Sequence, residues 1–198
     1  MLYKVGRKLC MILLWILFSV KVEGKEHIPR KGYILVANHR TNFDPLFVVT
    51  GIHAQVCFMA KAELFRNPLL GWVIKHLGAF PVERGKGDTS AIDWAVNLIR
   101  DGKVLGMFPE GTRSVGGVPQ RPKSGAALIA MQTGADLLPC AVCYGGKLGL
   151  RTKVIIRYGT LIRNDELNFT PGMQSTAEIK AASRLIMDRI VGLLEGKQ

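Results

Sequence analysis

Short apolar runs alternate with polar gaps along most of the chain, and the length and period of each run separate strands from helices. "YILVA" (33–37), "VCFMA" (56–60) and "VLGMF" (104–108) are continuously apolar, the pattern of buried strands. "AFPV" (79–82) predicts another short strand, and two more are expected near 137–143 and 153–158. Helical stretches lie between them: a short helix over 45–52 with Pro45 in its first turn, and an apolar helix over 69–77 after Pro68. In 88–102, Ile92, Ala95, Val96 and Ile99 recur at helical spacing, with Asp88 as N-cap and Gly102 just past the end. A helix around 124–134 and a closing amphipathic helix over 176–194 complete the series. Strands alternating with helices predict an α/β domain with a central mixed, partly parallel sheet flanked by helices. No internal repeat, low-complexity tract or second domain is visible.

The first residues break this rhythm. "MLYKVGRK" carries three basic residues, and "LCMILLWILFSV" is an almost unbroken apolar run followed by Lys21. Twelve helical residues cover roughly 18 Å, short of a hydrocarbon core of about 30 Å. The expectation is a helix lying in or dipping into one leaflet, with Trp15 near the boundary and the cations on anionic headgroups. Residues 1–24 are accordingly read as a membrane-associating segment and 25–198 as the domain. A secretory signal has the same basic-then-apolar order, but "FSVKVEG" is a poor cleavage region. A buried core helix is the other reading of the run.

Composition narrows the partner. Hydrophobic residues make up 48% of the 198, which excludes disorder, and the net charge of +12 calls for an anionic partner: nucleic acid, anionic lipid or a phosphorylated substrate. Lys and Arg are spread along the chain with no zinc finger, RRM signature or basic helix, so nucleic acid is not expected. Cys10, Cys57, Cys140 and Cys143 form no disulfide framework. "CAVC" lies in a strand-like run where residues three apart face opposite ways, and buried free thiols are expected.

Two polar gaps follow predicted strands, the place where α/β folds hold ligands. "ANHRTNFDP" (37–45) sets His39 five positions before Asp44. An imidazole can take a proton near neutral pH while a carboxylate fixes its tautomer. Asp44 before Pro45 is equally a helix N-cap, and His39 a loop histidine. No G-x-S-x-G elbow or activated cysteine supplies a nucleophile, so a hydroxyl activated by His39 would belong to the substrate, as in a transferase. "FPEGTRS" (108–114) offers Gly111 for a tight turn, Arg113 as a planar fork for phosphate, and hydroxyls on Thr112 and Ser114. Glu110 could accept from a substrate hydroxyl or hold Arg113; a solvated turn is the plain alternative. Arg84 is a second phosphate candidate, whereas His27, His53 and His76 lack such partners. A metal site is not expected, since no second ligand accompanies His39.

These segments resemble the glycerolipid acyltransferase family. "NHRTNFD" is similar to its N-H-x-[ST]-x-x-D block, with Thr41 where many members have serine. "GAFPVER", covering Gly78, Phe80 and Arg84, resembles the G-x-F-x-x-x-R block; "FPEGTRS" and "LLPCAV", centred on Pro139, resemble two others. All four stand in the family order within residues 30–145, and the nearest likeness is to bacterial 1-acylglycerol-3-phosphate acyltransferases. The resemblance implies transfer of a fatty acyl group from acyl-CoA or acyl carrier protein to lysophosphatidic acid, without metal or bound cofactor. By it His39 is the base, Asp44 orients it, and Arg113 and Arg84 hold phosphate. Glu110, Gly111 and Thr112 shape the acceptor site, and Pro139 lies near the acyl or acceptor pocket. It also implies attachment to the cytoplasmic side of the cell membrane. Glycerol 3-phosphate or another lysolipid such as lyso-ornithine lipid remains an alternative acceptor, and a non-catalytic lipid-binding protein an alternative class.

Overall fold

The computed structural model describes residues 2–76, 78–82, 89–114 and 117–196. Among them, seven strands form one sheet: β1 (Ser19–Glu23), β2 (Ile34–Ala37), β3 (Val56–Lys61), β4 (Ala79–Val82), β5 (Val104–Met107), β6 (Leu137–Tyr144) and β7 (Lys153–Tyr158). The helices are α1 (Leu2–Leu17), α2 (Asp44–Phe47), α3 (Pro68–His76), α4 (Thr89–Arg100), α5 (Gly125–Thr133) and α6 (Thr176–Leu194). The strand order is β1-β7-β6-β2-β5-β3-β4, with every neighbouring pair parallel except β6 and β7. The expected mixed sheet flanked by helices is present, and it is mostly parallel.

Strand period two divides the core. Ile34 and Val36 of β2 face one layer with Ala95 and Ile99 of α4, Ile129 of α5, and Ile186 and Ile190 of α6. Tyr33, Leu35 and Ala37 face the other layer, where Leu14 of α1, Phe18, and Phe47 and Val48 at α2 pack. Covering both faces explains why β2 reads as an unbroken apolar run.

Three segments depart from expectation. Residues 19–23, read as the tail of the N-terminal segment, form edge strand β1 parallel to β7, with Glu23 bonded to the Arg157 guanidinium at 2.8 Å. The helix expected over 45–52 lasts one turn. Thr50 donates its hydroxyl to the Phe47 carbonyl at 2.5 Å, and its amide and that of Ile52 form i−3 bonds, so the chain tightens into turns after Val48. The N-cap expected at Asp88 lies outside the described residues, as does Arg84.

α1 is apolar on two sides. Leu14 is 2% exposed, and Phe18 beyond the helix end meets Phe47 edge-on with ring centroids 5.3 Å apart. Leu9, Ile12, Leu13, Trp15 and Ile16 face outward. No helix among the described residues is long and apolar enough to cross a membrane. All four cysteines are free; Cys140 is buried, which pushes its thiol pKa well up.

Candidate active site

Because β2, β5 and β6 are parallel neighbours, the loops leaving β2 and β5 and the last residue of β6 emerge at the same edge of the sheet. Asn38 begins the first loop. Its side-chain amide accepts from the Val142 N–H at 2.8 Å and donates to the Val142 carbonyl at 3.2 Å, extending the β2–β6 ladder by one residue.

The next residue is His39. Its Nδ1 lies 2.8 Å from Asp44 Oδ2. A carboxylate only accepts, so Nδ1 carries the proton and Nε2 keeps its lone pair for a substrate. Asp44 is fully buried, at 0% exposure, and a charge so placed requires several donors. Oδ2 also accepts the Arg40 and Thr41 amides, each at 2.6 Å, while Oδ1 accepts the Thr41 hydroxyl at 3.1 Å and the Tyr144 hydroxyl. The helix-cap reading of Asp44 is therefore overturned: its carboxylate turns back onto the loop and makes no cap bond to α2.

Sequence reading missed Tyr144. It sits at the end of β6, bonds Asp44 and Thr41, and receives Phe47 edge-on and the Arg40 guanidinium over its ring. Burial, reinforced by the Asp44 charge, raises its pKa far above the usual tyrosine value, so the hydroxyl stays a donor. An aromatic at the end of an apolar run carries no signal for this role. Phe108 was also missed; it stacks on the His39 ring at 4.2 Å and on Phe58 at 5.8 Å.

The "FPEGTRS" loop meets His39 through the backbone. Glu110, 2% exposed, accepts the His39 amide at 2.8 Å on one oxygen and the Gln120 amide at 2.9 Å on the other. The expectation that Glu110 holds Arg113 is corrected: Arg113 donates to Asn42 Oδ1 at 3.0 Å instead. Gly111 has φ +71°, the left-handed turn anticipated for it, with the Lys123 side chain packed over the site a Cβ would fill. Thr112 and Arg113 line a cavity of about 1070 Å³ together with His39. Pro139 does not. It is buried within β6 opposite Val36, its carbonyl accepting the Gly159 amide, and stands inside the sheet rather than on the cavity wall.

The cavity runs from His39 and Phe108 past Phe58, Met59 and Val73 to Met11 and Leu14 of α1. Among the described residues its lining includes four cations, Arg7, Arg40, Lys61 and Arg113, and no carboxylate. It is a place for an elongated apolar molecule with an anionic group.

The profile of the family described as Acyltransferase matches residues 19–143. The 1-acyl-sn-glycerol-3-phosphate acyltransferase of Bacillus subtilis is 35% identical over 142 residues, 71% of this chain and 70% of that protein. The chain belongs to the 1-acyl-sn-glycerol-3-phosphate acyltransferase family. The family's Streptococcus pneumoniae member is 38% identical over 76% of this chain, which spans only 57% of that relative's length. The crystal structure of the 1-acyl-sn-glycerophosphate acyltransferase from Thermotoga maritima superposes with a TM-score of 0.72 at 27% identity, over 100% of this chain and 79% of that one. The family match runs from β1 into β6 and ends one residue before Tyr144.

Proposed function

We propose that the chain transfers a fatty acyl group from acyl-CoA or acyl carrier protein to the sn-2 hydroxyl of 1-acylglycerol 3-phosphate, giving phosphatidic acid. The observation that carries this reading is the His39–Asp44 pair, 2.8 Å apart, on the wall of a cavity lined by apolar side chains and four cations. The activities of the relatives from Streptococcus pneumoniae and Bacillus subtilis agree with it.

In this mechanism the acceptor hydroxyl lies against His39 Nε2, which takes its proton as the oxygen attacks the thioester carbonyl. The new ester forms, the thiolate leaves, and the imidazolium returns the proton to the sulfur. Asp44 holds the tautomer and stabilises the imidazolium; Phe108 fixes the ring plane. Arg113 takes the acceptor phosphate at the cavity wall, and Arg84 is a second phosphate ligand by family resemblance. Gly111 and Thr112 shape the loop that carries Arg113, and Glu110 anchors that loop to His39.

The outward apolar face of α1 rests in the cytoplasmic leaflet, with Lys8 toward anionic headgroups, so that a lysolipid enters the cavity without leaving the bilayer. A cytoplasmic site meets both thioester donors.

The test is thioester release from acyl-CoA with lysophosphatidate, glycerol 3-phosphate or lyso-ornithine lipid as acceptor. The expected result is rapid release with lysophosphatidate, reduced roughly a hundredfold or more by His39→Ala. Release equal in the parent and the His39→Ala protein overturns the mechanism, and a preference for another acceptor overturns the substrate.

A further inference from the structure

α3 turns Leu69, Trp72 and Val73 outward. Leu69 is 74% exposed and Trp72 55%, with Val73 exposed beside them, and this i, i+3, i+4 spacing puts them on one face. The opposite side is made by Gly71, where an added Cβ would come within 2.9 Å of the Phe65 carbonyl oxygen. Leu64, in the 3₁₀ turn Ala62–Phe65 just before α3, continues the exposed face. Grouped apolar exposure of this kind marks a contact surface.

The charges around it have one dominant sign. Between positions 61 and 76 the chain carries Lys61, Arg66 and Lys75 against Glu63 alone. Trp72 lies against His76, with ring centroids 4.3 Å apart, an aromatic with a polar neighbour as at membrane–water boundaries. Leu64, Val73 and Ile74 also line the cavity that holds His39, whose wall includes Met11 and Leu14 of α1.

We infer that α3 and the turn before it form a second bilayer-contacting element, seating Leu69 and Trp72 at the acyl boundary of an anionic leaflet with Arg66 and Lys75 on the headgroups. The inference rests on the lysolipid reading above. A phospholipid surface is the occupant because the rim is cationic, the face pairs aliphatic side chains with an interfacial tryptophan, and the adjoining cavity must receive a long-chain amphiphile. One helix on a leaflet sets depth and leaves the domain free to roll about that helix. Contact through α1 and α3, which both wall the cavity, stops the roll and directs the cavity at the lipid.

The test uses the full chain with Trp15→Phe and Trp94→Phe, leaving Trp72 as its single tryptophan. It is mixed with phosphatidylcholine–phosphatidylglycerol vesicles carrying brominated acyl chains. The expected result is a blue shift and several-fold quenching of Trp72 emission, weakened by salt. Flotation with the vesicles while Trp72 emission stays unchanged overturns the inference, and failure to float overturns membrane attachment with it. Emission already shielded without vesicles, in proportion to protein concentration, assigns the face to a second copy and overturns it too.

A second variant, Leu69→Glu with Trp72→Glu, is expected to keep turnover on a short-chain lysophosphatidate dissolved as monomers and to lose several-fold on the vesicle-embedded substrate. Equal loss on both means a structural role and counts against the inference. If the parent turns over neither substrate, the acyltransferase reading fails, and the Trp72 measurement still decides the surface.

Discussion

Glu110 accepts a hydrogen bond from the backbone amide of His39 at 2.8 Å across 71 positions of sequence. Ser114 returns the link by donating its amide to the His39 carbonyl at 2.7 Å. The backbone of His39 is thus clamped on both sides by the loop that carries Arg113. Glu110→Gln is nearly the same shape but presents an NH₂ group to one of two part-buried amides. Leaving a buried donor unmet costs about 1–3 kcal/mol, so the variant should melt several degrees lower and turn over more slowly. Wild-type melting and turnover would remove the clamp.

Tyr144 should matter through Asp44. Tyr144→Phe keeps the ring packed on Phe47 and removes one donor to the buried carboxylate. A hydrogen bond to a charged group contributes about 1.5 kcal/mol or more, so kcat should fall roughly tenfold with little change in KM. The pKa of Tyr144 is raised by burial, and so is that of buried Tyr158. An acid whose folded pKa lies above its unfolded value holds its proton longer when folded, so stability falls as pH rises past about 10. Tyr144→Phe should flatten that fall by one proton. Melting temperatures across alkaline pH, with kcat and KM of both proteins, check the two statements.

Arg113 stands on the cavity wall, held by Asn42. Arg113→Ala should raise KM for lysophosphatidate about tenfold or more, the scale of a lost charged hydrogen bond. The same change should leave a phosphate-free monoacylglycerol acceptor nearly untouched. Equal effects on both acceptors would show that Arg113 does not read the phosphate.

Gly106 makes room for the aromatic stack behind His39. A Cβ there would sit 2.3 Å from the Phe58 ring, which is itself stacked on Phe108. A phenyl ring cannot bend away as a lysine can, so Gly106→Ala should displace the stack and destabilise by about 1–3 kcal/mol. Calorimetry checks the stability, and kcat checks whether His39 moves with Phe108; an unchanged melting curve contradicts the close contact.

The chain's own pattern determined six of the seven strands, the α/β class and the two polar loops, because continuous apolar runs and helical spacing are local properties that burial reads directly. The four family blocks likewise named His39, Asp44 and Arg113 without coordinates. Whether Asp44 caps a helix or pairs with His39 was open in sequence, since an Asp-Pro pair allows both, and only the carboxylate's turn back to Nδ1 and Tyr144 decided its partners. Pro139 shows the reverse: a residue marked by its block lies inside the sheet and not on the cavity wall. Tertiary structure also decided that β2 and β5 are neighbours, which joins His39 to Glu110 and stacks Phe108 on the imidazole. Pairings between strands far apart in sequence depend on sheet order, which no local period encodes. For the same reason β1 escaped reading: an edge strand is defined by its partner, here β7, and Ser19–Glu23 carries too little apolar pattern to declare itself alone.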